Sequence, residues 1–315
     1  TSTPCSASTR TVSRAMDVIG FKVYARSVAV RIGPNGNRDG TQIGISTGTG
    51  GHFAVARSSS GAVGGAETTL VIEGMTPNTE YGIQAGVLRV DGSTVSSAVT
   101  GSTWTLSVVP GLDSFVMGAT SATVTLGLGG NPSGTLLEIS TDAFTTAFSS
   151  KGAVTTLVLD HLDPNTPYTL SARSENTTGV KSAILTAAST ATFARVPGTN
   201  VWTEVNLSSI SAAWDRNNNP LTPPTSYQMM TSIDIGFGVA STSDTFVLGA
   251  SSAALAYNTT YYIKTAAHNR FGGMSAYNPT IATCTLAGTP GVLGFTVHMT
   301  SIEVRLDSNG NSEGT

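Results

Sequence analysis

Apolar residues alternate with small or polar ones over four stretches of one form: Ser27-Val-Ala-Val-Arg-Ile32, Ser121-Ala-Thr-Val-Thr-Leu126, Ser209-Ile-Ser-Ala-Ala-Trp214 and Ser301-Ile-Glu-Val-Arg-Leu306. A period of two places every second side chain on one face, which predicts half-buried β-strands. The stretches are offset by 94, 88 and 92 residues, so the chain is a repeat of about ninety residues. After each comes a turn rich in Asn and Gly, the residues that tolerate a left-handed backbone: Pro34-Asn-Gly-Asn37, Gly129-Gly-Asn131, Asn217-Asn-Asn-Pro220 and Ser308-Asn-Gly-Asn311. A strand opening on Thr follows, at Thr41, Thr135 and Thr225, and the fourth copy reaches Thr315.

The register continues downstream. Thr69-Leu-Val-Ile72, Thr156-Leu-Val-Leu159 and Thr245-Phe-Val-Leu248 predict a further strand in each copy. Pro77-Asn-Thr-Glu-Tyr81, Pro164-Asn-Thr-Pro-Tyr168 and Tyr257-Asn-Thr-Thr-Tyr261 then lead into another alternating run, and Pro-Gly pairs at Pro110, Pro197 and Pro290 close the copies as linkers. No segment has a 3.6-residue period. Short strands with turns every 8–12 residues, in units of this size, predict an all-β chain of two-sheet sandwiches.

These motifs resemble the fibronectin type III domain, in the version common in secreted bacterial surface proteins. The resemblance covers nearly the whole chain and implies tandem immunoglobulin-like sandwiches. It implies that Tyr81, Tyr168 and Tyr261 are the tyrosines of the corner between the fifth and sixth strands, each tying the corner backbone through its hydroxyl. Trp214 matches the core tryptophan of the second strand, where Ile32, Leu126 and Leu306 stand in the other copies. The expected domains are residues 16–109, 110–196 and 197–289. Ala7-Ser-Thr-Arg-Thr-Val-Ser-Arg14 matches Ala188-Ser-Thr-Ala-Thr-Phe-Ala-Arg195 at five of eight positions, so residues 1–15 are expected to be the last strand of a preceding repeat. Residues 290–315 are expected to be the first strands of an incomplete fourth. The chain, which opens on Thr1, is expected to be a window on a longer array rather than a subunit whose two ends complete each other. Domain 1 has about seven residues more than domain 2 between Thr41 and Leu70, within HFAVARSSSGAVGG, expected on a loop.

Composition narrows the role. Charged residues are 11% of the 315, the net charge is −3, and the few Lys and Arg are scattered, so nucleic acid is not an expected partner. No apolar run approaches the roughly 20 residues that span a bilayer. Cys5 and Cys284 have no metal-ligand spacing and read as small buried thiols.

Candidate chemistry is sparse. Asp307-Ser-Asn-Gly-Asn311 and Asp215-Arg-Asn-Asn-Asn219 fit the oxygen-rich start of a calcium loop, but neither has a completing Glu, and the matching turns begin at Gly33 and Gly127. They read as turns. His52, His161, His268 and His298 have no neighbouring nucleophile or paired ligand, and no Gly-x-Ser-x-Gly elbow stands beside a usable Asp and His. Asn176, Asn206 and Asn258 begin glycosylation sequons, close to the number chance would give. No catalytic, cofactor or metal residue is assigned. The expected protein is a secreted or cell-surface structural or adhesive one, a string of sandwiches in a fibre, stalk or coat. Its expected partners are neighbouring repeats, its own kind, and surface glycans. The alternative is a spacer or carbohydrate-binding region of a large secreted glycoside hydrolase, which exposed Trp104, Trp202 and Tyr277 on one face would favour.

Overall fold

The alternating stretches form antiparallel strands, and every regular element described is a strand. The computed structural model describes residues 12–47, 58–89, 99–146, 150–222 and 224–311, with 58, 59, 99 and 100 as backbone only. Cys5, His52, Thr315, the strand expected before residue 12 and much of the expected insertion lie outside the described residues.

The first repeat contains β1 (Asp17–Val23), β2 (Val28–Gly33), β3 (Gln42–Ser46), β4 (Ser58–Ala62), β5 (Thr68–Ile72), β6 (Glu80–Val87) and β7 (Val99–Trp104). They form a three-stranded sheet, β1-β2-β5, and a four-stranded sheet, β4-β3-β6-β7. The second contains β8 (Gly111–Met117), β9 (Ala122–Gly127), β10 (Leu136–Ser140), β11 (Ser150–Gly152), β12 (Thr156–Leu159), β13 (Pro167–Glu175) and β14 (Leu185–Ala191), in sheets β12-β9-β8 and β11-β10-β13-β14. The third contains β15 (Val201–Val205), β16 (Ser209–Ala213), β17 (Ser226–Ser232), β18 (Ser241–Thr245), β19 (Gly249–Ala253), β20 (Thr260–His268) and β21 (Ile281–Cys284), in sheets β15-β16-β19 and β18-β17-β20-β21. A hairpin of β22 (Gly291–Val297) and β23 (Ile302–Asp307) follows. Contacts divide the chain into two compact units, Thr1–Ser114 with Val124–Leu157 and Leu170–Ala187, and Phe115–Thr123 with Val158–Thr169 and Ala188–Thr315. The second repeat contributes to both.

Alternation decides what is buried. Val28, Val30 and Ile32 of β2 meet Ile43 and Ile45 of β3 and Ile83 and Ala85 of β6 in one core; each such side chain contributes about 1.5–3 kcal/mol by leaving water. In the second repeat Val124, Leu126, Leu137, Ile139 and Leu170 are buried at the corresponding positions. In the third, Trp214 packs on Tyr227 with ring centroids 5.8 Å apart. Ala194, Ala212 and Ala267 line the same cluster, so small neighbours make room for the indole that the other copies lack.

Two expectations are corrected. Thr245–Leu248 does not supply the fifth strand of the third repeat: Phe246, Val247 and Leu248 are exposed in the bend after β18, and β19 pairs with β16 instead. Ile72 and Leu159 stand five residues before their corner prolines, whereas Leu248 stands nine before Tyr257. The apolar run had therefore drawn the alignment four residues upstream of a strand made of small residues, Gly-Ala-Ser-Ser-Ala. Cys284 is exposed, because on β21 it falls on the outward side of the alternation.

All three corners are tied as the resemblance implies. The hydroxyls of Tyr81, Tyr168 and Tyr261 accept hydrogen bonds from the N–H groups of Thr76, Asp163 and Ala256, each at 2.9 Å. A second tie comes from Thr105, Thr192 and Thr285. Each accepts from the N–H of Thr79, Thr166 or Thr259 at 3.0 Å and donates to the carbonyl of Thr76, Asp163 or Ala256. Tyr261→Phe leaves the Ala256 N–H without its acceptor. The expected loss is about 1–2 kcal/mol, read as lower denaturant resistance of the Trp214 fluorescence transition and faster exchange of the Ala256 amide.

Candidate functional site: the joints between repeats

Where the chain passes from one repeat to the next, asparagine side chains substitute for the missing sheet partners. Asn131, the last residue of its turn, accepts from the Val108 N–H at 2.9 Å and donates to the Val108 carbonyl at 2.8 Å. The primary amide thus mimics a strand neighbour for one linker residue. Asn37 makes the same pair of bonds with Arg14, Asn219 with Arg195, and Asn311 with Gly288. Two residues earlier, Asn35, Asn217 and Asn309 donate to the carbonyls of Ala15, Val196 and Thr289. In the second repeat this place is Gly129, with φ of +65° and so little room that a Cβ would stand 2.5 Å from the Val109 carbonyl oxygen. Backbone approach replaces the amide there.

The corner asparagine forms the other half of the joint. Asn78, Asn165 and Asn258 have φ of +45°, +48° and +46°, the left-handed conformation that Asn tolerates better than other side-chain-bearing residues. In the first unit, Asn78 Nδ2 donates to Thr135 Oγ1 at 2.9 Å, and its Oδ1 accepts from the Thr177 N–H at 2.9 Å. In the second unit, Asn165 Nδ2 donates to Thr225 Oγ1 at 3.1 Å, and its Oδ1 accepts from the Arg270 N–H at 2.7 Å. Thr135 and Thr225 immediately precede the third strand of their repeats, so each corner reads the same hydroxyl of the repeat after it. Return bonds run from Asn176 Nδ2 to the Thr105 carbonyl at 3.3 Å and from Asn269 Nδ2 to the Thr192 carbonyl at 3.1 Å. Tyr257, which replaces the corner proline, lies against the backbone of Gly288 and Gly310.

Several sequence candidates lie at or near these contacts. In Asp307–Asn311 and Asp215–Asn219 the amides of Asn311 and Asn219 serve the linker, and no group of three or more metal-ligating side chains occurs among the described residues. Asn176 is buried, and its Oδ1 also accepts from the Thr178 and Val180 N–H groups, so the folded chain offers this sequon no free amide. His161 lies between β12 and β13, His268 at the end of β20 and His298 between β22 and β23. Trp104, Trp202 and Tyr277 are each half-buried. Trp202 packs on the third core, and the Tyr277 hydroxyl donates to Gln228 Oε1 at 3.0 Å. They do not present the exposed aromatic face that a glycan platform requires. No helix among the described residues is long and apolar enough to cross a membrane.

One charged cluster escaped sequence reasoning. Glu138 lies between Leu137 and Ile139, both in the core, so alternation turns its side chain to the other face of the sheet. There it is buried under Arg173 at 2.6 Å, Lys181 at 2.7 Å and Lys151 at 3.2 Å, with Glu175 bridging the two lysines. The Arg173 guanidinium also stacks on Phe144, 3.9 Å from the ring centroid. Burial opposes ionisation of Glu138, but hydrogen bonds from Lys181, Arg173 and Lys151 outweigh it and hold the carboxyl down at about 2, from an ordinary 4.5. Every carboxylate here has its cations, so the cluster braces β10, β11 and β13.

No protein-family model matches the chain, and no curated protein matches it. Among solved structures it is similar to the FN1–FN3 domains of chicken CNTN1, at 15% identity and TM-score 0.28, over 87% of this chain and 98% of that one. It is similar to a two-domain fibronectin type III segment of chicken tenascin, at 15% identity and TM-score 0.38, over 56% and 99%. A third likeness, to the domain of human fibronectin type III domain containing protein 3, has 20% identity and TM-score 0.28, over 32% and 93%. In this chain each of three repeats pairs its first, second and fifth strands in one sheet and its other four in the second, with a tied tyrosine corner between the fifth and sixth. The chain is thus all-β, a series of antiparallel two-sheet sandwiches.

Two measurements test these contacts. Asn78→Gly keeps the left-handed backbone without strain but removes both halves of the clamp. In a double-mutant cycle with Thr135→Val, the expected coupling is about 1 kcal/mol, read as the amount by which the double variant's stability loss differs from the sum of the two single losses. For the cluster, a folded-state pKa below the ordinary value means that the stabilisation is full above about pH 4.5 and drains as pH falls towards 2. Glu138→Gln is expected to cost roughly 3 kcal/mol at pH 7 and to flatten the acid limb of a stability–pH curve.

Proposed function

We propose that this chain is an extracellular structural or adhesive protein, a run of fibronectin type III-like domains in a fibre, stalk or surface coat. The domains we assign are residues 16–109, 110–196 and 197–289. β22 and β23 are assigned as the first two strands of a further repeat. Support for the fourth unit comes from register: β22 pairs with β23 through a bulge at Val292/Gly294, as β1 pairs with β2 at Val18/Gly20 and β15 with β16 at Trp202/Glu204. Asn311 also holds Gly288 as Asn131 holds Val108. The apolar residues Ile302, Val304 and Leu306 of β23 are exposed where Val28, Val30 and Ile32 are buried.

The observation that carries the role is the joint, made twice with the same donors and acceptors. A flexible tether would not need buried, directional bonds between successive domains. Such bonds suit a chain that transmits force along its length, with weak contacts summed over many copies. Secretion agrees with the low charge and hydroxyl-rich composition.

Single-molecule stretching of the chain tests this reading. Three unfolding events are expected, each releasing about 30 nm, as follows from roughly ninety residues at 3.3–3.6 Å each. Extension without discrete events, or one event releasing the whole length, counts against a series of independent mechanical domains.

A further inference from the structure

Strand β18 is the outer strand of the sheet β18-β17-β20-β21, so half of its peptide groups point away from β17. Natural edge strands are usually blunted by lysine, proline, a bulge or short length. The equivalent strand of the second repeat follows that rule: β11 has three residues, and its central Lys151 is ion-paired with Glu138 and Glu175. Strand β18 does not. It has five residues, Ser-Thr-Ser-Asp-Thr, with no lysine or proline and an unbroken register against β17. Apolar residues flank it in the open: Val239 is 84% exposed, Phe246 68% and Val247 66%. An unpaired edge bordered by exposed apolar side chains is a template for another strand.

The order of residues selects the occupant. Around Ser243 the segment is close to self-complementary: Ser241 matches Thr245, Thr242 matches Asp244, Ala240 matches Phe246 and Val239 matches Val247. We propose that β18 pairs antiparallel with β18 of a second copy of this chain, about a two-fold axis through Ser243, giving an isologous dimer. The pairing joins two four-stranded sheets into one and satisfies the outward peptide groups of both edges. With the bends at Gly238–Val239 and Phe246–Leu248 straightened on pairing, it sets Val239 of each copy beside Val247 of the other and places Ala240 beside Phe246. No like charges face each other directly. The two Asp244 side chains are diagonal neighbours, about 7–8 Å apart, a distance that physiological salt screens in part. Each Asp244 already accepts a hydrogen bond from Gln228 Nε2 at 3.2 Å on its own sheet. This surface stands independently of the mechanical role: the dimer survives if the stretching experiment fails, and the reverse.

Sedimentation equilibrium of the full 315-residue chain, with circular dichroism to verify the fold of each variant, tests the pairing. Wild type is expected to show a monomer–dimer equilibrium. Val239→Lys with Val247→Lys puts like charges across both flanks and is expected to weaken the dimer at least about tenfold. Val239→Lys with Val247→Glu puts opposite charges across the same flanks and is expected to stay within about threefold of wild type. The proposal is overturned if wild type is monomeric up to about 1 mM, if the double-lysine variant associates as wild type does, or if the charge-swapped variant loses as much as the double-lysine one. It also falls if Ile302→Lys with Val304→Lys abolishes association while the β18 variants leave it intact.

Discussion

A peptide group that leaves a sheet loses its hydrogen-bond partner, and a chain of successive sandwiches must leave a sheet at every passage. Unpaired, each buried N–H or carbonyl would cost about 1–3 kcal/mol. This protein meets the constraint with side-chain amides, whose donor and acceptor have the spacing of a peptide group. Asn37, Asn131, Asn219 and Asn311 each hold both polar groups of one linker residue. Once the linker is held, the corner asparagine faces the opening threonine of the next repeat. The remaining bonds of the joint depend on that placement.

The joint also explains why so few charges are needed. Ion pairs between exposed side chains contribute little in water, whereas amide and hydroxyl bonds sheltered between packed surfaces keep their directionality. The charges that do cluster, around Glu138, lie on one sheet face of the second repeat and are satisfied internally. Polarity therefore does different work in two places: amides align neighbours, and ions brace a single sheet.

Much of this was legible in the sequence because strands and corners are local. Alternation marks the core side of β2, β9 and β16, and the Pro-Asn-Thr-x-Tyr pattern marks the corner with the tyrosine that closes it. The fifth strand of the third repeat was missed because Gly-Ala-Ser-Ser-Ala carries no apolar signal, while the exposed Phe246-Val247-Leu248 nearby does. Cys284 was misplaced because alternation alone does not say which face of β21 looks inward. The joint asparagines were read as turn formers, and that is half of their role. The left-handed φ of Asn35, Asn217 and Asn309 is a local property, but the bonding partners of the joint asparagines lie about twenty residues away or in the next repeat. The recurrence of Asn131, Asn219 and Asn311 at the offsets of the strands was the visible signal, since a turn alone accepts Gly or Asp there.

The turn asparagine of each repeat receives the linker before it, and the corner asparagines of the first two repeats reach the repeat after them. A gene segment encoding one such unit therefore carries both halves of the contact. Copying it in tandem lengthens the array without inventing an interface, because the new junction is complementary from the start. The second repeat keeps Asn131 but departs at the place two residues earlier. With Gly129 pressed against Val109 in place of an amide, its entry fits one predecessor closely and exchanges less freely with its siblings.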